Sequence, residues 1–242
     1  MTETKISAGS YDLNKWLFGG YERDIITTIY GPAGSGKTNF CVLAAVSQAK
    51  KDNKVIFMDT EGGFSIDRFK QIAGEEYESA LKNILIMKPT NFQEQKKEFN
   101  SLLKEISKDS QIGLIIVDGM TMLYRLEIGE ASKEKDDLQI KIINKELANQ
   151  LRTLAEISRK RNIPVIITNQ VYYNFVPEEE FHKEKTANMV GGDLLKYWSK
   201  CLIELQYSEG KRKAILRKHR NLPEKEFPFI ILNSGIKKRG LF

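Results

Sequence analysis

Gly31-Pro32-Ala33-Gly34-Ser35-Gly36-Lys37-Thr38 sets two glycines around four intervening residues and follows them at once with a lysine and a hydroxyl. That is the spacing of a phosphate-binding loop. Glycine is needed because successive backbone N–H groups must turn inward around phosphate oxygens, and a side chain would block the approach. Lys37 supplies a point charge to the β and γ phosphates. The Thr38 hydroxyl is placed to ligate Mg²⁺ at the first turn of a helix whose positive dipole end faces the anion. Pro32, Ala33, Gly34 and Ser35 inside the loop, with Asn39 beyond it, complete the candidate nucleotide-binding stretch. A nucleoside triphosphate with Mg²⁺ is the expected ligand.

Other polar residues end apolar runs. Asp118 closes "GLIIVD" and is predicted to hold the Mg²⁺ shell opposite Thr38. Asp59, Thr60 and Glu61 close "KVIFMDTE". Glu61 would polarise the water that attacks a γ-phosphate, or would cap a turn; spacing alone supports both readings. Asn169 and Gln170 close "PVIITNQ" as neutral groups able to sense a γ-phosphate or merely to end a strand.

The elements that must position these groups are short and continuously apolar. "DIITTIY", "KVIFMD", "NILIM", "GLIIVD" and "IPVIITN" alternate with segments of helical periodicity, the longest with Leu138, Ile140, Ile143, Leu147, Leu151 and Leu154 on one stripe. This predicts an α/β fold, a mostly parallel twisted sheet with helices on both faces, and ligands at the carboxyl ends of the strands. After residue 200, "CLIELQYS", "KAILRKHR" and "FPFIILN" with short links predict an antiparallel extension of that sheet. Residues 125–137 and 172–190 are predicted as loops.

The chain has 242 residues, 41% of them hydrophobic, enough for one substantial core, and a single domain spanning 1–242 is expected. No apolar run approaches the ~20 residues of a membrane span, and the first residues lack a signal-peptide pattern, so a cytoplasmic protein is expected. Cys41 and Cys201 are the two cysteines, with no CxxC and no His cluster, which argues for reduced, buried thiols. Residues 211–220, "KRKAILRKHR", carry six Lys or Arg and no acid, as many charges as the whole chain's net +6. The basicity is therefore local.

"GPAGSGKT", "FMDTEGGFSIDRF", "LIIVDGMTMLYR" and "IITNQV", in this order, resemble the core of the RecA/RadA recombinases over about residues 8–235. The early start of the core makes the chain similar to the short archaeal paralogues of RadA, which lack an N-terminal helix-hairpin-helix domain. The resemblance implies a RecA-like P-loop ATPase core. Glu61 falls on the family's catalytic glutamate, Asp118 on its Mg²⁺-associated aspartate, Gln170 on its nucleotide-to-DNA relay, and Arg68 on the arginine near the adenine. It also implies a nucleoid-associated role in DNA recombination and repair, with single-stranded DNA and RadA as partners.

The chain departs from that family in its loops. Residues 125–137 hold three bases against five acids, and residues 172–190 hold Lys183 and Lys185 against Glu178, Glu179, Glu180 and Glu184. Net-acidic loops hold DNA phosphates poorly, although Tyr172, Tyr173 and Phe175 are suited to base stacking. Gly119 stands where RadA usually has a hydroxyl residue, and the Phe-x-x-Ala segment that joins RadA subunits has no clear counterpart. These departures argue for an accessory or mediator of RadA with weak ATPase activity, or for a nucleotide-switched protein-interaction adaptor. A small-molecule kinase would use the same loop, but such enzymes carry an Arg-rich lid. The basic strand, through Lys213, Arg217, Lys218, His219 and Arg220, is the predicted DNA surface, read as an edge strand or strand end; the alternative is a solvated edge kept from aggregating by its lysines.

Overall fold

The apolar runs fold as the strands of one large sheet in the computed structural model, which describes residues 4–108, 111–173 and 187–240. A small β1 (Lys5–Ile6), α1 (Tyr11–Trp16) and β2 (Tyr21–Glu22) precede β3 (Ile26–Gly31) and α2 (Lys37–Ala49). Next come β4 (Lys54–Asp59), α3 (Ile66–Ala73), α4 (Tyr77–Leu81), β5 (Ile84–Met87), α5 (Phe92–Lys108) and β6 (Ile112–Asp118). They are followed by α6 (Met122–Lys133), α7 (Asp137–Arg161), β7 (Val165–Tyr173), β8 (Ala187–Met189) and α8 (Gly192–Trp198). The chain ends in β9 (Cys201–Ser208), β10 (Lys211–Lys218), β11 (Lys225–Leu232) and β12 (Gly235–Lys238).

Among the described residues the main sheet has ten strands, nine of them in the order β12-β11-β10-β9-β3-β7-β6-β4-β5, with β8 pairing β7. β5, β4, β6, β7, β3 and β9 run parallel, and antiparallel pairing begins at β9 with β10. β3 and β6 are buried at every position, as a sheet covered on both faces requires. One face packs on α2 through Phe40, Leu43 and Val46, and the other on α5 and α7 through Phe99, Leu147 and Leu151. Each such side chain contributes about 1.5–3 kcal/mol by burial. Both cysteines are free and buried, Cys41 in α2 and Cys201 in β9. No described helix is long and apolar enough to cross a membrane.

Two predicted features differ. Residues 125–137 are largely helix: α6 covers them to Lys133, and Asp136 caps α7 by accepting from the Gln139 N–H at 2.9 Å. Glu and Lys form helices well, and α6 anchors on α7 through buried Leu123 and Ala131 and a 2.6 Å bond from the Tyr124 hydroxyl to Asn144. On α7 the buried stripe begins at Ile143, while Leu138 is 70% exposed. At 172–190, β7 continues to Tyr173 and pairs with β8, Val171 opposite Met189. Phe175, the glutamates 178–180 and 184, Lys183 and Lys185 lie outside the described residues.

Candidate functional site

The carboxyl ends of β3, β4 and β6 lie beside the point where β7 stops pairing with β3, which collects Gly31, Asp59, Asp118 and Gln170 at one edge of the sheet. The loop from Gly31 turns into α2 at Gly36, whose φ of 108° caps the helix. Lys37 is only 6% exposed and donates to the carbonyls of Gly31 and Pro32, each at 3.0 Å. Burial pushes its ammonium down from the usual lysine value, opposed by the carboxylates of Glu61 and Asp118.

Asp118 is buried, and its Oδ1 accepts from the Thr168 hydroxyl at 2.6 Å. Thr168 in turn accepts from the Gly119 N–H at 2.7 Å, so one hydroxyl fixes both the carboxylate and the bend after it. Among the described residues, Asp118 Oδ2 is buried without a hydrogen-bond partner. It borders the space that Thr38 borders: a Cβ built on Gly63 would sit 3.2 Å from Thr38 Oγ1 and 3.6 Å from Asp118 Oδ2. Burial raises the Asp118 pKa, opposed by the hydroxyls of Thr168 and of neighbouring Thr38, and Glu61 and Asp59 raise it further. A desolvated carboxylate oxygen beside a hydroxyl is a donor set that fits a hard divalent cation.

Glu61 is held at the site by its neighbours. Asp59 accepts from the N–H groups of Gly63 and Phe64, both at 3.0 Å, which shapes the turn around it. The Thr60 hydroxyl donates to the carbonyls of Asp118 at 3.0 Å and Gly119 at 2.7 Å, locking the end of β4 to the end of β6. Glu61 Oε2 then accepts from the Gln170 amide at 3.1 Å, so these two candidate groups meet across 109 residues of sequence. Asn169 is buried, accepts from the Thr121 hydroxyl and donates to the Val190 carbonyl at 2.8 Å. Arg68 reaches Asn39 at 2.8 Å, Gln71 at 3.0 Å and the Asn233 carbonyl at 3.1 Å, which ties α3 to α2 and to the β11–β12 turn. The supporting roles of Thr60, Thr168 and Asp59 were not assigned from sequence. Their signal was a polar residue directly following an apolar run.

Gly119 is required by its backbone and its neighbours. Its φ is +89°, and a Cβ there would lie 2.4 Å from Thr60 Oγ1 and 2.7 Å from Glu61 Cγ. Gly119→Ser is expected to destabilise the fold by about 2 kcal/mol through backbone strain and to push Glu61 off Gln170. Thermal unfolding checks the first effect. A variant as stable as the parent would show that the loop relaxes freely.

The basic strand differs from its sequence reading. β10 is not an edge: it lies between β9 and β11. Lys213 pairs with Glu226 at 2.8 Å, and Arg217 with Glu204 at 2.6 Å and Glu224 at 2.7 Å. Lys218 donates to the carbonyls of Lys196 at 2.8 Å and Ser199 at 2.9 Å. Arg220 pairs with Glu22 at 2.7 Å and Asp24 at 2.6 Å. The His219 side chain is buried, with Nδ1 accepting from the Asn221 N–H at 3.1 Å. Glu22 and Asp24 come from a distant part of the chain, the other acids from the neighbouring strands and the connection after β10, and the geometry uses all five side chains inside the molecule. The His219 pKa is lowered by burial, opposed by Glu22 and reinforced by Lys5, Arg220 and Lys225. The stability of the folded form that depends on neutral His219 is complete above the unfolded value of about 6.5 and is lost as pH falls through the lower folded value. Unfolding temperatures between pH 7.5 and 5 are expected to fall less steeply in His219→Asn than in the parent.

The Rad51 family pattern matches residues 2–239. The chain is 38% identical to the DNA repair and recombination protein RadB of Methanobrevibacter smithii over 228 residues, 93% of this chain and 92% of that protein. It is 40% identical to RadB of Methanocaldococcus jannaschii over 228 residues, 93% and 98% of the two chains. A crystal structure of the RadB recombinase matches with a TM-score of 0.75 at 33% identity, covering 97% of this chain and all of that one. Motifs, sheet order and these relatives agree, and the chain belongs to the Rad51 family with a RecA-like fold, in its RadB group.

Proposed function

We propose that this chain binds ATP with Mg²⁺ at the loop Gly31–Thr38, hydrolyses it slowly, and acts in DNA recombination and repair as an accessory to RadA. The observation that carries the reading is the contact of Glu61 with Gln170 beside the Asp118–Thr38 pair. Hydrolysis of a γ-phosphate mostly requires positioning, and these groups divide that work. Lys37 would exchange its two loop carbonyls for phosphate oxygens. Thr38 and Asp118 would hold Mg²⁺, which neutralises charge on the phosphates. Glu61 would orient water, and Gln170, where β7 stops pairing with β3, would move its amide between Glu61 and the γ-phosphate. Arg68, set by Asn39, would flank the adenine.

DNA is the expected macromolecular ligand, as its relatives among the DNA repair and recombination proteins suggest, and the chain is read as one RecA-like domain acting in the cytoplasm at the nucleoid. The internal pairing of β10 favours a second reading, in which ATP switches a protein interface and DNA contact is slight. ATP hydrolysis measured with and without single-stranded DNA, and with and without RadA, separates the two. Stimulation by DNA alone supports a DNA-dependent ATPase. A response to RadA alone supports the adaptor, and no hydrolysis under any condition removes the enzymatic reading.

A further inference from the structure

The outer side of the phosphate loop rests on the antiparallel extension. Arg212, on β10, donates to the Gly34 carbonyl through Nε at 3.3 Å and a terminal nitrogen at 3.2 Å. Its guanidinium lies 4.4 Å from the ring centroid of Tyr207, its cross-strand neighbour on β9. The same ring is the nearest neighbour of Gly34, 3.9 Å from where a Cβ would stand. A planar, permanently charged fork stacked on an aromatic face is preorganised, and an arginine held this way loses little freedom when it bonds a carbonyl.

The consequence for the loop follows from peptide geometry. In a trans peptide the C=O and the following N–H point to opposite sides. Holding the Gly34 carbonyl outward therefore turns the Ser35 N–H inward. That N–H donates to the Pro32 carbonyl at 3.3 Å, the same oxygen that Lys37 reaches at 3.0 Å, so both donors would exchange this oxygen for a phosphate. Gly34 itself has a φ of +73°, a left-handed conformation with shallow restraint of its own, so an external tether decides which way its peptide faces. Loop amides that must converge on phosphate oxygens work only when they are already aimed.

We infer that Arg212, seated on Tyr207, is a positioning residue for the phosphate loop, holding the Gly34–Ser35 peptide so that the Ser35 N–H faces the bound nucleotide's phosphates. The inference rests on the nucleotide-site reading above. It makes the antiparallel extension part of the nucleotide site.

The test uses the full chain with MgATP and MgADP as probes. Arg212→Ala is expected to weaken both nucleotides by about tenfold, roughly the worth of one charge-assisted hydrogen bond. Amide exchange in residues 31–40 should quicken, while the unfolding temperature without nucleotide stays unchanged. Arg212→Lys, which retains a donor without the fork, should recover part of the affinity, and Tyr207→Leu should lose part of it. Lys211→Ala, which removes an exposed neighbouring charge, should change nothing. Equal losses in Lys211→Ala and Arg212→Ala would reduce the effect to general attraction and overturn the inference. So would a fall in nucleotide-free unfolding temperature that accounts for the lost affinity. Unchanged affinity in Arg212→Ala, with binding abolished in Lys37→Ala, would defeat the Arg212 role alone. Unchanged affinity in Lys37→Ala would instead remove the nucleotide site on which it rests.

Discussion

Asp118→Asn is expected to make the nucleotide-free protein more stable while removing its response to Mg²⁺. The Asp118 carboxyl is buried, and burial raises its pKa, with Glu61 and Asp59 adding to the shift. A raised carboxyl pKa means that the stability attached to this group is complete below the unfolded value of about 3.9 and is lost as pH rises through the folded value. At neutral pH the ionised group therefore opposes folding. Asparagine has no charge to desolvate and still offers an oxygen to the Thr168 hydroxyl, which bonds Oδ1 at 2.6 Å in the parent. A gain of a few degrees in unfolding temperature is expected, since about 1 kcal/mol shifts a chain of this size by about 2–4 °C. In the parent, saturating MgATP should add about 2.7 kcal/mol at a hundredfold excess over Kd, and chelating the metal should remove most of it. In Asp118→Asn the unfolding temperature with ATP should be the same with and without chelator. A lower nucleotide-free unfolding temperature in the variant would show that the carboxylate is a structural bond rather than a strained ligand.

Lys37→Ala is expected to reduce ATP affinity by at least about a hundredfold, on the scale of losing a charge-assisted contact to a polyphosphate. The ammonium sits between the carbonyls of Gly31 and Pro32 at 3.0 Å and within the fields of Glu61 and Asp118. Without nucleotide the same substitution removes two hydrogen bonds but also relieves a desolvated cation, so the change in unfolding temperature should be small beside the change in affinity. Titration of ATP into the variant by calorimetry checks the first effect and a thermal scan the second. Unaltered affinity would overturn the site assignment.

These residues differ in how directly the sequence points to them. The phosphate loop is contiguous, so Gly31, Gly36, Lys37 and Thr38 announce themselves by spacing alone. The strand-end rule then points to Asp118, while for Glu61 and Gln170 it leaves a plain turn or strand end open and the family resemblance supplies the assignment. Thr168 and Thr60 were harder. A threonine suits a strand interior as well as a site, and only the approach of β6 to β7 and of β4 to β6 shows that their hydroxyls hold Asp118 and the Gly119 turn.

The basic strand shows the reverse. Six cations in ten residues read as a surface seeking phosphate, because no acid lies among those ten. Folding supplies the acids from elsewhere: Glu22 and Asp24 from the β2 region, Glu204 from β9, and Glu224 and Glu226 from the β10–β11 connection and β11. Charge interactions act through space and ignore chain separation, so local composition could not reveal them. The acidic stretch at 125–137 misled for a related reason, since charge says little against a helix whose apolar side is covered by α7.

The sequence by itself determined the parallel α/β sheet, the phosphate loop and the order of the strand-end carboxylates, all of which depend on contiguous pattern and period. The tertiary structure decided which charges are already paired, that Glu61 rests against Gln170, and that Arg212 and Tyr207 lie beneath the loop. Those are meetings of residues far apart in the chain, and only the packing of the sheet, with its antiparallel extension folded back on the loop, brings them within bonding distance.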